Sequence, residues 1–319
     1  ISYGILGVIA ALSIRTIGYR SLVNLSFPLF LFFTFLLILT FVPYIGKMRN
    51  GSHRWIGFAG YTLQPSEFIK YLIPLFYIYS MTKEEFSIKG LAKTLSWIAV
   101  PIFLILLEPD NGTVAIIGVS ISALLFLSRV KFKYWAWPLL LLIAIGGCVA
   151  YNMPYVTQRL KVYANPQLDL RGRGHQPYQA KIAAGSGEFW GRGAGKSLQK
   201  LSYLPEAQND FIAAIYAEEF GFFGIVVLIS LYIYFSYLGT KIALEAVSLQ
   251  GMYLAAIITF LISFQAFLNL GVVSGLLPST GLNLPFFSQG GSSLIANVMA
   301  IGVLISISEE KRKKTIINF

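Results

Sequence analysis

The feature that most constrains this chain is a succession of apolar runs separated by short polar segments. A helix needs about 20 apolar residues to cross the hydrocarbon core of a bilayer. Nine runs approach that length, near residues 1–14, 27–45, 64–81, 93–107, 112–128, 134–152, 211–238, 251–273 and 289–308. They predict an all-α polytopic membrane protein with about nine transmembrane helices, forming a single domain over residues 1–319.

Composition supports the membrane and argues against nucleic acid as a partner. Only 12% of the residues are charged and 56% are hydrophobic, whereas soluble domains are about a quarter charged. The net charge of +11 comes from basic residues scattered between the apolar runs. Because they form no basic stripe interleaved with aromatic residues, we expect no nucleic-acid partner.

The distribution of Lys and Arg predicts the orientation of the chain. Cytoplasmic loops of membrane proteins carry an excess of basic residues. If the loop after the first run is cytoplasmic, 13 of the 25 Lys and Arg residues lie on that side, and three lie in the short segments of the other side. The C-terminus is then cytoplasmic, and the long polar loop over residues 153–210 is extracytoplasmic.

The 153–210 loop is long enough to be functional in a compact protein. Its aromatic residues and apolar pairs predict partial order with short surface helices. Residues Gly191–Ser197 resemble a phosphate-binding loop, but Trp190 stands where the first glycine of that motif is required. We therefore expect these glycines to allow tight turns and not to bind a nucleotide.

Ionisable residues at membrane depth are costly and are functional candidates by default. Glu67 and Lys70 are spaced i and i+3 at the start of a run, so they are expected to pair on one helix face. Glu218 and Glu219 lie two turns into another run, and at least one should face the protein interior. Glu108 and Asp110 flank a proline, for which a solvated turn is the simplest interpretation.

Several polar segments, taken together in this order and spacing, resemble the SEDS family (shape, elongation, division and sporulation). The resemblance covers nearly the whole chain and rests on Asn50–Ile56, Gln64–Glu67 with Lys70, Glu108–Thr113, Tyr203–Ala207, Asp210–Ile212, Glu218–Gly221, Asn269–Gly271, Leu277–Gly281, Leu284–Phe286 and Gly290–Ser293. Family members usually have ten spans, so we expect the nine runs to be the second to the tenth. Residues Ser197–Glu206 are more similar to the division branch of the family than to its elongation branch.

The resemblance implies a peptidoglycan glycosyltransferase of the bacterial inner membrane that acts in cell division and cell wall synthesis. Its substrate would be lipid II, polymerised with inversion and release of undecaprenyl pyrophosphate. A class B penicillin-binding protein would be its partner and would crosslink the strands. A divalent cation, Mg²⁺ or Mn²⁺, is an expected cofactor, with ligands that the sequence does not identify.

The family's essential aspartate matches Asp210, which we expect to be the catalytic general base. The anionic leaving group needs positive charge, for which Arg54, Lys70, Arg159 and Lys196 are the candidates. The other predicted substrate-binding residues lie in the family motifs or at membrane depth: Trp55, Glu67, Glu206, Glu218 and Ser292. We expect the four motif regions to converge on the end of the long loop.

Two other functions are compatible with these residues. A lipid II flippase would need a polar path through the helices, which Lys70, Glu218 and Glu219 could line. A non-catalytic scaffold would only recruit the crosslinking enzyme. The effect of replacing Asp210 on polymerisation distinguishes these functions from the enzyme.

Overall fold

The structure is a computed structural model that describes residues 2–49, 52–58, 60–83, 87–136, 140, 157, 161–163, 174–199 and 208–317. The chain divides into two compact units. Unit 1 comprises Ile1–Ser128, Phe235–Ile262 and Gly290–Phe319, and unit 2 comprises Arg129–Tyr234 and Ser263–Gln289. The single domain predicted from the sequence remains a prediction.

Helices dominate the described residues, as predicted. In chain order they are α1 (Ser2–Ile17), α2 (Tyr19–Asn24), α3 (Ser26–Leu39), α4 (Pro65–Lys83), α5 (Ile88–Leu107), α6 (Asn111–Leu127), α7 (His175–Ser186), α8 (Ile212–Leu244), α9 (Leu249–Val273) and α10 (Gly291–Ile317). By length and composition, α5, α8, α9 and residues Gly291–Lys311 of α10 can cross a membrane. Helices α1, α3 and α6 are apolar but shorter.

Eight of the nine predicted spans coincide with described helices. The largest difference is at the end of the last span, where α10 continues to Ile317. The second span is shorter than predicted, because α3 ends at Leu39 and the chain enters a strand at Gly46. The span predicted at 134–152 lies almost wholly outside the described residues, which include only 134–136 and 140 of it. The polytopic α-helical fold class is confirmed, while the number of spans stays a prediction.

A small antiparallel sheet, which the sequence analysis did not predict, lies between α3 and α4. Its strands β1 (Gly46–Arg49), β2 (Ser52–Phe58) and β3 (Tyr61–Leu63) pair in chain order. Lys47 opposes Trp55, and Ile56 opposes Leu63. The sheet joins α10, because Ser292 Oγ accepts a hydrogen bond from the amide of Gln64, directly after β3, at 2.9 Å.

The helix ends of unit 1 that carry the predicted cytoplasmic charges meet one another. Arg15 at the end of α1 pairs with Glu309, and Lys311 pairs with Glu245 beyond α8 at 3.0 Å. Gln250 in the first turn of α9 donates to Thr82 near the end of α4 at 2.8 Å. These contacts place the ends of α1, α4, α8 and α10 together, as one membrane face requires.

Unit 2 is organised around a core that α7 shares with the start of α8. Ala180 and Ala183 of α7 are fully buried in a cluster with Phe211 and Ala214. The other residues of α7 are half-buried or exposed, so α7 is a short surface helix, as predicted for the long loop. Its small residues allow one face to pack against the following helix. The segment 274–289, which follows α9, completes this unit.

Candidate functional site

The turn that carries Asp210 immediately precedes α8, and its backbone is held at three consecutive residues. Each of the three carbonyl groups accepts one hydrogen bond: Gln208 from the Gln289 amide at 2.9 Å, Asn209 from the Ser288 hydroxyl at 2.7 Å, and Asp210 from Asn269 Nδ2 at 2.9 Å. Carbonyl groups fixed in this way hold the Cα atom of Asp210 and limit where its carboxylate can lie.

Asn269 also attaches the segment after α9 to this turn. Its Nδ2 atom donates a second hydrogen bond to the carbonyl of Leu282 at 2.7 Å. Next to Leu282, Gly281 has a φ of +73°, and a Cβ atom there would lie 3.8 Å from Asp210 Oδ2. The positive φ favours glycine, and the segment therefore approaches the Asp210 carboxylate closely.

A small cavity of about 40 Å³ opens beside the carboxylate, lined by Gln176 of α7 and by Asp210, Asn269 and Thr280 among others. Two buried oxygens of its lining residues, Asn269 Oδ1 and Thr280 Oγ1, have no hydrogen-bond partner among the residues that the structure describes. Buried polar atoms are usually paired with protein or water. The cavity is therefore suited to a polar occupant such as a hydroxyl group, a water molecule or a cation.

The lining of this cavity fits the expected divalent cation in part. Mg²⁺ and Mn²⁺ prefer oxygen ligands, and Mg²⁺ sites often combine one or two carboxylates with substrate phosphates. Asp210 supplies one carboxylate, and Asn269 and Thr280 supply the two oxygens that lack partners. The described residues contain no group of three or more His, Cys, Asp or Glu that could hold a metal. A cation here would need further oxygens from the substrate.

The glycine-rich part of the long loop packs on a break in α8. Gly221 interrupts the helix with a φ of +65° and a ψ of −163°. The amides of Arg192 and Gly193 donate to the carbonyls of Glu218 and Glu219 at 3.0 and 2.9 Å. At membrane depth a broken helix persists only where other groups satisfy its backbone, and this loop supplies them.

Glu218, which is 1% exposed, holds the same loop through its side chain. It accepts hydrogen bonds from the Ser197 hydroxyl at 2.5 Å and from the amides of Leu198 and Gln199 at 3.2 and 3.3 Å. Arg192 forms an ion pair with it at 3.7 Å. The prediction that at least one of the two adjacent glutamates faces inward is confirmed. These contacts show that Glu218 attaches the loop to α8. They do not support the predicted role of Glu218 in substrate binding, which remains a prediction.

The glycines of this loop serve backbone turns, as the sequence predicted. Gly191, Gly193 and Gly195 have φ values of +79°, +103° and +78°. A Cβ atom on Gly191 would lie 2.2 Å from the carbonyl oxygen of Glu219. Lys196, a predicted substrate-binding residue, is exposed on the loop.

In unit 1 a buried polar cluster joins the sheet to the turn between α5 and α6. Arg54 of β2 donates to the carbonyls of Glu108, at 3.0 Å, and of Pro109. Glu108 and Asp110 are 0% and 3% exposed, so the prediction of a solvated turn is wrong. The turn is buried because Asp110 caps α6 through Thr113, and because Thr40 donates to Glu108 at 2.7 Å. Burial raises the pKa of Glu108 to about 8.

Glu67 and Lys70 form the predicted i, i+3 ion pair at 2.6 Å, buried at the start of α4. The adjacent Tyr71 donates to Asn297 of α10 at 2.7 Å. Ser292 donates to the Thr62 carbonyl at 3.4 Å in addition to its contact with Gln64. These residues hold α4, β3 and α10 together, and their predicted roles in substrate binding remain predictions.

The remaining predicted residues are described only in part. Trp55 is half-buried on β2. Arg159 and Glu206 lie outside the described residues. The convergence of all four motif regions remains a prediction. Within unit 1 the 50–67 and 108–113 regions meet through Arg54, and within unit 2 the 277–289 region meets the Asp210 turn through Ser288.

Sequence reasoning did not assign a role to Asn269, Thr280, Gln176 or Lys181, which line the Asp210 cavity or the cavity next to it. A signal for Asn269 was present in the sequence. Gln265 and Asn269 are amides one turn apart in an otherwise apolar run, where they need hydrogen-bond partners. Charge drew attention to the glutamates instead.

Comparison with known proteins gives a consistent result over nearly the whole chain. The family model of the FtsW, RodA and SpoVE cell cycle proteins matches residues 1–313. Probable peptidoglycan glycosyltransferase FtsW of Legionella pneumophila is 37% identical, over 97% of this chain and 80% of the relative. Stage V sporulation protein E of Bacillus subtilis is 36% identical, over 96% of this chain and 85% of the relative.

Solved structures have the same fold. A chain from a peptidoglycan synthase complex, described for its coordination of polymerisation and crosslinking, has a TM-score of 0.78 and 25% identity. The match covers 96% of this chain and 87% of that chain. The rod shape determining protein RodA of Thermus thermophilus has a TM-score of 0.69 and 23% identity, over 97% and 86% of the two chains.

Proposed function

The chain belongs to the SEDS family, that of the FtsW, RodA and SpoVE cell cycle proteins, and on this premise we propose that Asp210 is the general base of its glycosyl transfer. The protein is a multi-pass membrane protein and a peptidoglycan glycosyltransferase, the activity for which relatives 36–37% identical are named. Its substrate is lipid II, and it acts during cell division.

The chemistry assigned to Asp210 is a single displacement at the anomeric carbon of the donor. An acceptor hydroxyl loses its proton to the Asp210 carboxylate as its oxygen forms the new glycosidic bond. The bond between the anomeric carbon and the undecaprenyl diphosphate oxygen breaks, and the electron pair leaves with the diphosphate. One displacement inverts the configuration of that carbon. A positioned carboxylate contributes about 10²- to 10⁴-fold to such a rate.

The observation that carries this proposal is the fixed Asp210 turn beside a cavity with polar atoms that lack partners. Three hydrogen bonds to consecutive carbonyls hold the turn. An acceptor hydroxyl in the cavity could receive a hydrogen bond from Thr280 Oγ1 while it donates to the Asp210 carboxylate. That geometry orients the proton toward the base before bond formation.

A divalent cation is part of the proposal. One Asp210 oxygen and Asn269 Oδ1, with further oxygens from the substrate, would hold Mg²⁺ or Mn²⁺, which would neutralise charge on the donor diphosphate when bound, while Thr280 stays with the acceptor hydroxyl. Asp210 then orients the acceptor hydroxyl at the cavity mouth and holds its proton. The hydrogen bonds of Asn269 to the carbonyls of Asp210 and Leu282 keep the Asp210 turn and the segment after α9 together.

The sidedness and the partner are also proposals. Asp210 and the 153–210 loop face outward, where lipid-linked sugar is polymerised, and the C-terminus is cytoplasmic. The meeting of the basic helix ends in unit 1 supports one common face for them. A class B penicillin-binding protein is the partner, supported by the likeness to a chain from a complex that polymerises and crosslinks peptidoglycan.

The test is polymerisation of purified lipid II by the full chain with its penicillin-binding partner and Mg²⁺ or Mn²⁺. Asp210→Asn preserves shape and removes the base, so glycan strand formation should fall by about 10²-fold or more. Glu188→Gln, at an exposed acid of the same unit, should polymerise as wild type does. Absence of polymer from the wild type with its partner would refute the enzyme. Polymer made by Asp210→Asn at the wild-type rate would remove Asp210 from the mechanism.

The flippase and scaffold alternatives receive no specific support. Lys70 and Glu218, which could have lined a polar path, contact Glu67 and the 192–199 loop, respectively. Translocation of fluorescent lipid II by Asp210→Asn at the wild-type rate, with no polymer from either protein, would favour the flippase. A scaffold would recruit the partner but neither polymerise nor translocate lipid II.

A further inference from the structure

Helix α7 contributes to two neighbouring cavities in unit 2. Gln176, in its first turn, lines the cavity that contains Asp210. Lys181, further along the helix, lines a second cavity together with Tyr163, Pro177 and Gly275. Val272 and Ser279 line both cavities. Lys181 therefore lines a cavity that is separated from the Asp210 cavity by the residues that the two cavities share.

The turn after α9 is shaped to accept the Lys181 side chain. Gly275 has a φ of +79°, and a Cβ atom there would lie 2.1 Å from Lys181 Cε and 2.6 Å from Lys181 Nζ. The positive φ favours glycine, and the end of the Lys181 side chain lies in the space that a side chain at position 275 would enter. On the same turn, the carbonyl of Leu276 accepts a hydrogen bond from the Tyr163 hydroxyl at 2.7 Å.

No carboxylate within the described part of unit 2 forms an ion pair with Lys181. The acidic residues described there are Glu188, Asp210, Glu218 and Glu219, and the last two hold the 192–199 loop. Lys181 is an exposed residue that lines the cavity next to that of Asp210. Its ammonium group has no ion-pair partner among the described residues of unit 2, so it can attract an anion. A helix C-terminus nearby, that of α9 at Val273, also favours a cation, so a purely structural role is the alternative to test.

We propose that Lys181 binds the diphosphate of the lipid-linked donor and stabilises it as the leaving group. The proposal rests on the proposed function. The anomeric carbon must lie about 3–3.5 Å from the hydroxyl that Asp210 deprotonates, and the diphosphate is joined to that carbon. Its binding group must therefore adjoin the Asp210 cavity, which is where Lys181 lies. A fixed cation there stabilises charge that develops on the departing oxygen.

The test measures binding without turnover, on the purified full chain, with inorganic pyrophosphate and with farnesyl diphosphate. Lys181→Met removes the charge and keeps the apolar stem, so the Kd for both probes should rise about tenfold or more. Lys181→Arg should restore most of the affinity. Lys241→Met, at the last turn of α8, is the matched control and should bind as wild type does.

A Kd for farnesyl diphosphate that is the same in Lys181→Met and wild type would overturn the proposal. Dependence on Lys181 for inorganic pyrophosphate alone would also overturn it, in favour of a site for free anions. In polymerisation assays Lys181→Met should raise KM for lipid II and lower kcat, whereas a structural lysine would change only thermal stability. If the wild type binds farnesyl diphosphate through Lys181 but makes no polymer, the proposed function fails and the anion site stands.

Discussion

Replacing Asn269 by alanine should lower turnover far more than it changes substrate affinity. The amide of Asn269 donates to the carbonyls of Asp210 and Leu282, at 2.9 and 2.7 Å, and both hydrogen bonds are lost. A buried polar group left without a partner costs about 1–3 kcal/mol, so the loss of both bonds weakens the attachment of the Asp210 turn and the following segment by about 2–6 kcal/mol. Displacement of a reacting group by about 1 Å can lower a rate about 100-fold.

Gln265→Ala is the matched control for this substitution. Gln265 lies one turn earlier on α9 and makes the same kind of bond, from Nε2 to the carbonyl of Asn283 at 2.8 Å. This bond holds the same segment after α9, whereas the bond to the Asp210 carbonyl is made by Asn269. Gln265→Ala removes one such bond where Asn269→Ala removes two, so it should destabilise the protein by about 1–3 kcal/mol, while turnover should fall less than about tenfold.

The assay is lipid II polymerisation over a range of substrate concentrations, with thermal unfolding of each variant measured in parallel. We expect Asn269→Ala to lower kcat about 100-fold and to leave KM within about threefold. Equal losses of kcat in Asn269→Ala and Gln265→Ala would show that stability alone explains the effect. A rise in KM without a fall in kcat would show that Asn269 acts on binding and not on the position of Asp210.

Two further predictions concern the turn at Glu108 and the glycine-rich loop. Burial raises the pKa of Glu108 to about 8 from an ordinary value of about 4.5, so the folded state holds a proton that the unfolded state releases. The stability from this group, on the order of 4 kcal/mol, is complete below pH 4.5 and is lost as the pH rises to 8. In Glu108→Gln the unfolding temperature should therefore depend less on pH over this range. The same dependence on pH in the variant and the wild type would contradict the prediction. Gly195→Ala should lower the stability by about 1 kcal/mol, because the φ of Gly195 is +78° but the space around it is open. Gly191→Ala should lower the stability several-fold more, because its Cβ atom would meet the Glu219 carbonyl. Equal losses of stability in thermal unfolding would exclude the close approach as the cause.

Much of the fold follows from the apolar runs, because a bilayer requires helices of a narrow range of lengths. The sheet at Gly46–Leu63 was missed because its strands are three to seven residues long and bear little regular alternation. Asn50-Gly51 was the available hairpin signal. The packed face of α7 was also not predicted, because Ala180 and Ala183 look neutral in sequence and become core residues only against the start of α8.

The position of Asp210 at the junction of loop and helix was predicted, but the groups that hold it were not. The Ser288 hydroxyl and the Gln289 amide act on backbone carbonyls. Such contacts depend on how a distant segment folds back, and the side-chain type of the acceptor residue carries no information about them. Lys181 was missed for a related reason, since the end of its side chain lies next to Gly275, which is 94 positions away in the chain.

The charges singled out at membrane depth have clear roles in attachment, while their roles in substrate binding remain predictions. Glu218 and Lys70 were singled out for their cost, and the structure meets that cost with hydrogen bonds and ion pairs to nearby segments. Asn269 carries no charge and was passed over, yet one of its oxygens remains without a partner among the described residues next to Asp210. The Glu218 carboxylate accepts three hydrogen bonds, which use most of its acceptor sites. Both donors of the Asn269 amide are used and its Oδ1 has no partner among the described residues, so this amide can both hold the Asp210 turn and face a ligand.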